Sequence, residues 1–219
     1  MREGGGLSTG SYVELQQVAG PVSRETFELL QQFESLFQVW ARRINLVAPS
    51  TLDDVWRRHI LDSAQLWPFL LRSGSNVLDL GSGAGFPGLV LAIFVKGEEV
   101  PGTISLVDSN RKKTSFLQNV VGTLSLPAMI YGKRIESVSR EVMDTPHFVT
   151  ARALTSLDSL LDLSAPWLTR GARGLFHKGR DYQREIEESA HQWQFDLVKH
   201  PSKIDDESVV LEVINLKRR

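Results

Sequence analysis

The apolar positions of this chain first recur at helical spacing. Phe27, Leu30, Phe33, Leu36, Phe37, Trp40 and Ile44 follow one another at intervals of mostly three and four. Ser23, just after Pro21, is placed to cap the helix they predict. The pattern breaks at Asn45 to Ser50. A second helical stretch is predicted over 52–70, with Val55, Ile60, Leu61, Leu66 and Trp67 on its apolar side. Trp40, Trp56 and Trp67 read as packing residues rather than a stacking platform for bases.

The period then changes. Short apolar runs predict strands at 76–80, 103–108, 128–131, 148–151 and 174–177. Amphipathic stretches between them predict helices at 88–95 and 111–124, a short helical turn after Ile135, a helix through Leu160, Leu161 and Leu168, and one over 182–191. This alternation predicts an open, mostly parallel α/β sheet. The last two runs, 195–199 and 209–216, are joined by a link too short for a crossover helix, so they should pair antiparallel. Residues 1–20 read as a disordered tail, 21–72 as an N-terminal helical extension and 73–219 as the α/β domain.

One segment of that domain carries chemistry. The apolar run Val77-Leu78-Asp79-Leu80 leads into Gly81-Ser82-Gly83-Ala84-Gly85-Phe86-Pro87-Gly88, and a second apolar run follows. This predicts strand, tight glycine turn and helix. Residues without a Cβ let the backbone curl under a ligand, and a helix start supplies free N–H groups. Pro87 suits the first helical position. The arrangement fits the nucleotide-binding edge of an α/β sheet. An acid just before the glycines points to S-adenosylmethionine (SAM), as in methyltransferases in general. A dinucleotide reading competes, because Gly83, Gly85 and Gly88 also align as G-x-G-x-x-G. Asp108 ends the next strand 27 residues past Gly81 and would serve the ribose of either cofactor. A turn that binds nothing is the third reading.

Composition narrows these choices. There is no cysteine among the 219 residues, which excludes disulfides, cysteine-ligated zinc and cysteine nucleophiles; no metal site is expected. No run approaches a membrane span, and the start of the chain lacks an apolar signal core. A soluble, cytoplasmic, monomeric protein is expected. The net charge is −1, so any nucleic acid must be met by local basic clusters or with help from a partner.

The acceptor chemistry is constrained as well. Pyrimidine carbon-5 methylation usually needs a cysteine. Exocyclic-amine methylation commonly uses an Asn/Asp-Pro-Pro-aromatic loop after the fourth strand, where this chain has Thr150-Ala151-Arg152-Ala153-Leu154. Ribose methylation wants a base, and Lys178 lacks a clear set of partners for that. Guanine N7 needs none of these parts, because its lone pair is free at neutral pH. A basic pocket that holds the nucleotide is enough, and no side chain is expected to act as an obligatory general base. Arg134, Arg152 and Lys178 stand near strand ends that face the ligand crevice, and Glu136 lies where such folds often contact adenine. Arg111-Lys112-Lys113 and Arg57-Arg58-His59 are further basic runs, with His59 read as structural.

Taken together these residues resemble the RsmG (GidB) family, bacterial methyltransferases of guanine N7 in 16S ribosomal RNA. The likeness covers the chain after about the first twenty residues. Its landmarks are Trp40 with Ile44-Asn45-Leu46, Arg58-His59-Ile60-Leu61-Asp62-Ser63, the glycine loop ending in Phe86-Pro87-Gly88, Asp108-Ser109 with Lys112-Lys113, Arg134-Ile135-Glu136, Arg152-Ala153 and Lys178-Gly179. The resemblance implies a Rossmann-like class I SAM-dependent methyltransferase with seven strands, the last antiparallel. It implies cofactor contacts at Gly81, Gly83, Gly85, Phe86, Asp108, Ile135, Glu136 and Arg152. It also implies a basic substrate pocket of Arg134, Arg152 and Lys178. The near-neutral charge then fits 16S RNA presented in the small ribosomal subunit or an assembly intermediate. Arg180 departs from the small or amide residue expected after Lys178-Gly179. Two other classes stay open: a SAM enzyme with a small-molecule acceptor, and a non-catalytic RNA-binding module on a relic fold.

Overall fold

A computed structural model describes residues 11–73, 76–138 and 146–219. Helix α1 (Tyr12–Ala19) is capped by the Ser11 hydroxyl and buries Leu15, Val18 and Ala19. The disordered tail expected over 1–20 is therefore corrected for this part, while residues 1–10 lie outside the described residues. The signal was a four-residue-period stripe too short to form a helix alone. Tertiary contact decides it, with the Tyr12 ring edge-on to Phe27.

Helix α2 (Arg24–Ala41) starts where expected, its first turn capped by Ser23 Oγ accepting from Thr26 N–H. The single helix expected over 52–70 is instead a chain of short pieces. A 3-10 turn (Pro49–Asp54) runs into a π-helical segment (Trp56–Leu61), then α3 (Asp62–Ala64) and α4 (Trp67–Ser73). Pro68 explains the fresh start at Trp67, since proline is tolerated in a first turn but not inside a continuing helix. Trp56 and Trp67 are buried, and Trp40 packs on Phe116 while donating its indole N–H to Asn119. All three tryptophans are packing residues.

The sheet runs β3-β2-β1-β4-β5-β7-β6. Strands β1 (Val77–Leu80), β2 (Ile104–Val107), β3 (Ala128–Tyr131), β4 (Phe148–Arg152) and β5 (Arg173–Lys178) are parallel. Strand β7 (Val209–Arg218) lies antiparallel between β5 and β6 (Trp193–Pro201). Registers align Leu80 with Val107 and Ala151, and Val107 with Tyr131, so the strand ends form one carboxyl edge. The strand order reverses between β1 and β4, which places a crevice at the glycine turn.

Both sheet faces are covered, as parallel strands require. On one face α2, α5 (Gly88–Gly97) and α6 (Arg111–Leu124) share a core with the N-terminal helices, centred on Phe33, Phe37, Phe86 and Phe116. On the other, α8 (Leu157–Leu168) and α9 (Tyr182–Ser189) cover Leu78, Leu80, Val149 and Phe176, with Trp167 fully buried. Thr26 and Ser23 join α2 to the end of α5: the Thr26 hydroxyl donates to Glu98 Oε1 (2.6 Å) and Ser23 Oγ to the Gly97 carbonyl (3.0 Å). The helical extension also reaches the glycine turn, where Phe33 and Phe37 pack on Phe86.

Candidate active site

Asp79 pins the turn from below. It is fully buried, and its carboxylate accepts from the Thr150 hydroxyl at 2.7 Å and from Gly88 N–H, the start of α5, at 3.2 Å. Ser82 Oγ donates to the Asp79 carbonyl and accepts from Val107 N–H, tying the turn to β2. Burial raises the Asp79 carboxyl from 3.8 to about 6, against the pull of those hydrogen bonds.

The three glycines of the turn are not equivalent. A Cβ on Gly83, where φ is +55°, would meet only Gly81 O at 3.6 Å and Lys113 Nζ at 3.8 Å. A Cβ on Gly81 or Gly85 would instead strike the neighbouring side chains Leu154 (2.5 Å) and Leu89 (2.3 Å). Gly83 is therefore where the backbone is bare toward a ligand, and the other two allow the turn to fold. Asp108, half-buried at the end of β2, accepts from Gly83 N–H at 2.9 Å and from Asn110 N–H at 2.7 Å. A carboxylate has about four acceptor sites, so two remain for ligand hydroxyls.

A cleft of about 290 Å³ opens over this turn, lined by Gly81, Gly83, Phe86, Thr51, His59, Lys113, Arg152 and Ala153 among others. Its bare backbone at Gly83 fits a nucleoside cofactor; Asp108 and Gly85 do not line it, and Asp108 is tied to it through the bond from Gly83 N–H. Phe86 contributes a wall only. Its ring is stacked on His59 (5.0 Å between centroids) and packed on Phe33 and Phe37. Arg134, Ile135 and Glu136 follow β3, with Ile135 and Glu136 in the short helix α7 (Ile135–Val138); none of the three lines this cleft or the next. Ile135 packs on the second core, and Arg134 and Glu136 are exposed.

Arg152 is the most tightly held of the expected residues. Its Nε donates to Asp62 Oδ2 (2.9 Å), Nη1 to His59 Nδ1 (2.9 Å) and Nη2 to the Arg58 carbonyl (2.7 Å). Guanidinium only donates, so His59 Nδ1 must accept and its proton sits on Nε2, toward Thr51 Oγ1 at 3.0 Å. Burial first, then Arg152 and Arg58, lowers His59 from 6.5 to about 3, which keeps it neutral. Three of the five guanidinium N–H groups are thereby committed and two are left. Ala153, at φ +50°, turns the chain sharply beside them.

A larger polar cleft of about 910 Å³ lies on the other side of Arg152 and Ala153, which line both. Lys178 lies in it, nearly buried, donating to Glu185 Oε2 at 2.6 Å and to the Thr155 carbonyl at 2.7 Å. One ammonium proton remains. His177 donates Nε2–H to the Asp62 carbonyl (3.0 Å), and burial lowers it, Asp62 opposing, so it too is neutral. The β6–β7 turn brings Asp205, Asp206 and Glu207 into the lining of the same cleft as Arg57, Arg58 and Lys178. The Glu207 N–H, chiefly, holds the Asp205 carboxyl below its usual range, with Arg58 and Arg180 adding to it.

Sequence reasoning did not assign Asp62, Thr51 or Lys113 to the site, and it read His59 as structural. His59 and Asp62 sit three apart in the one segment where the helix is irregular, which is where π-helical turns commonly serve a site. Their partner Arg152 is about ninety residues away, so only folding brings them together.

The sequence model of the GidB family, described as rRNA small subunit methyltransferase G, matches residues 26–207. A "Ribosomal RNA small subunit methyltransferase G" of Brucella canis is 54% identical over 205 residues, 94% of this chain and 95% of that protein. The Brucella ovis protein of the same name is 53% identical over the same shares. Among solved structures, cofactor-bound Rv0187 from MTB aligns with a TM-score of 0.60 at 9% identity, covering 91% of this chain and 93% of the other. A putative O-methyltransferase from Klebsiella pneumoniae gives 0.58 at 7% identity, covering 92% and 94%. At those identities the structures speak for the methyltransferase fold alone.

Proposed function

This chain belongs to the GidB family of small-subunit rRNA methyltransferases, and from that membership we propose that it moves a methyl group from SAM to N7 of a guanine in 16S ribosomal RNA. The observation that carries this reading is the shared wall. Arg152 and Ala153 separate a cleft over the glycine turn from a polar cleft large enough for a nucleotide. A donor in one and an acceptor in the other meet at that wall.

SAM supplies an already activated methyl group, so the protein's work is placement and exclusion of water. Gly83 and Asp108 hold the nucleoside end. Arg152, which lines both clefts and keeps two uncommitted N–H groups, serves the junction, and Lys178 orients the acceptor with its remaining proton. No titrating base stands ready. The lone pair of His59 Nδ1 is taken by Arg152, the free Nδ1 of His177 is buried away from the cleft surface, and Lys178, Glu185 and Asp62 are bound to one another or to Arg152. Guanine N7 needs no proton removed, which is the acceptor such a site suits. Arg134, Ile135 and Glu136 lie outside both clefts, so a part for them rests on the family resemblance alone. The protein acts as a cytoplasmic monomer on the subunit or an assembly intermediate.

The test is incubation with labelled SAM and small subunits lacking the modification, with the labelled nucleotide mapped. Label at a single guanine N7, with little turnover on a short free oligonucleotide and activity falling as salt rises, is expected. Label on a small molecule and none on RNA would overturn the reading.

A further inference from the structure

A third cavity, of about 280 Å³, adjoins the cofactor cleft and shares Lys113 with it. It lies between two segments distant in sequence. Arg43, Ile44 and Asn45 come from the chain after α2, and Asn110, Lys112 and Lys113 from the start of α6. Its charge differs from that of the acceptor cleft, where cations and carboxylates share the lining. Here there are three cations and no carboxylate in the lining. Among the described residues, Arg43, Lys112 and Lys113 form no ion pair.

That arrangement concentrates like charge with no carboxylate in the lining. Lys112 and Lys113 stand in the first turn of α6, at the positive end of its dipole, and Arg43 adds a third like charge. Local helix geometry does not account for it. The N–H groups of Lys112 and Lys113 are already taken by Asn110 Oδ1, at 3.0 and 3.3 Å, so the helix end is satisfied without a ligand. What the cavity offers is side-chain donors. Arginine and lysine donate only, and the Asn110 carbonyl is spent on the helix, leaving its NH₂. Guanine's N7/O6 edge also presents acceptors alone, but only a phosphodiester adds a full negative charge, which is what three cations with no carboxylate among them match.

We propose that this cavity binds a phosphodiester of the RNA substrate, anchoring the backbone beside the cofactor while the acceptor base enters the separate cleft beyond Arg152. The inference rests on the rRNA reading above. It gives an enzyme of net charge −1 a local, uncompensated grip on RNA.

The variant to make is Arg43→Gln with Lys112→Gln, which leaves Lys113 and the cofactor cleft intact. Equilibrium binding to unmodified small subunits, with SAM present, is measured across a potassium chloride series. The slope of log K against log salt should become shallower by about one. Affinity near 0.1 M salt should fall on the order of tenfold. SAM affinity by calorimetry should stay the same, and Arg43→Lys with Lys112→Arg should keep the wild-type slope. A double-Gln variant with wild-type slope and affinity, in an enzyme whose own binding is salt-dependent, overturns the phosphate site and leaves the rRNA reading standing. A wild type that neither binds nor labels subunits overturns that reading, and this inference with it. A titration with inorganic pyrophosphate separates the sources of phosphate: binding lost in the variant while subunit affinity is kept would assign the cavity to a free anion and overturn the RNA assignment.

Discussion

Removing the charge of Asp79 should change how stability responds to pH, in a direction opposite to that of an ordinary carboxylate. Its carboxyl is raised from 3.8 to about 6 by burial. Between those values the folded chain keeps a proton that the unfolded chain has released. Stability from this group is therefore complete below 3.8 and is lost as pH rises through 6. The shift of roughly two units corresponds to about 3 kcal/mol in all, and about 2 kcal/mol of it falls between pH 4.5 and 7. Asp79→Asn retains the local bonds: the amide oxygen can accept from Gly88 N–H while the NH₂ donates to the Thr150 hydroxyl, which rotates to accept. The amide mimics the neutral acid, so at pH 4.5 the variant should lie within about 1 kcal/mol of wild type. At pH 7, where wild type buries a charge, the variant should be the more stable by about 2 kcal/mol relative to that reference. The measurement is urea unfolding of both proteins at several pH values, read as a difference. Taking the difference matters because His59, lowered to about 3, pulls wild-type stability the other way as pH falls below 6.5, and that contribution cancels. A wild-type minus variant gap that stays constant from pH 4.5 to 7 would falsify the assignment of a buried, proton-holding Asp79.

The other predictions concern the two clefts. Asp108→Ala should weaken SAM binding by about 1–3 kcal/mol, because both the ligand contact and the bond that shapes Gly83 are lost; unchanged calorimetric affinity in a folded variant removes Asp108 from the site. Gly83→Val should abolish SAM binding with the fold retained, since the branched Cβ enters the open cleft at a φ of +55° that valine avoids. Normal SAM affinity in that variant would mean the turn does not approach the cofactor. Asp62→Asn should release Arg152 and lower single-turnover methylation about 10- to 100-fold with SAM affinity little changed; full activity would show that Arg152 needs no anchoring. Lys178→Ala should cost about a hundredfold in turnover through misplacement of the acceptor, and the wild-type pH–rate profile should be nearly flat from roughly pH 6 to 8.5. A steep one-proton rise that vanishes in Lys178→Ala would instead make Lys178 a base.

The sequence by itself determined what is local. Strands β1 to β5, the start of α2 at Ser23, the bounds of α6 and the glycine turn with Asp108 after it are set by apolar period, caps and turn residues, all within a few positions. Those signals lie in the period, caps and turn residues of each segment, even though the strands' hydrogen bonds go to distant partners. What depended on distant partners was not legible. The helix Tyr12–Ala19 exists because Phe27 and the core receive it, not because eight residues are helical alone. The stretch 49–73 could not remain one helix once Pro68 restarted it, and its π-helical turn carries the Arg58 carbonyl and His59 to Arg152. The insertion of β7 between β5 and β6, the Lys178–Glu185 pair and the basic cavity at Arg43, Lys112 and Lys113 are likewise products of packing. Periodicity fixes which face of an element is apolar. Which charged side chain meets which across that core is decided only when the faces close, because burial makes each charge depend on the partner it finds.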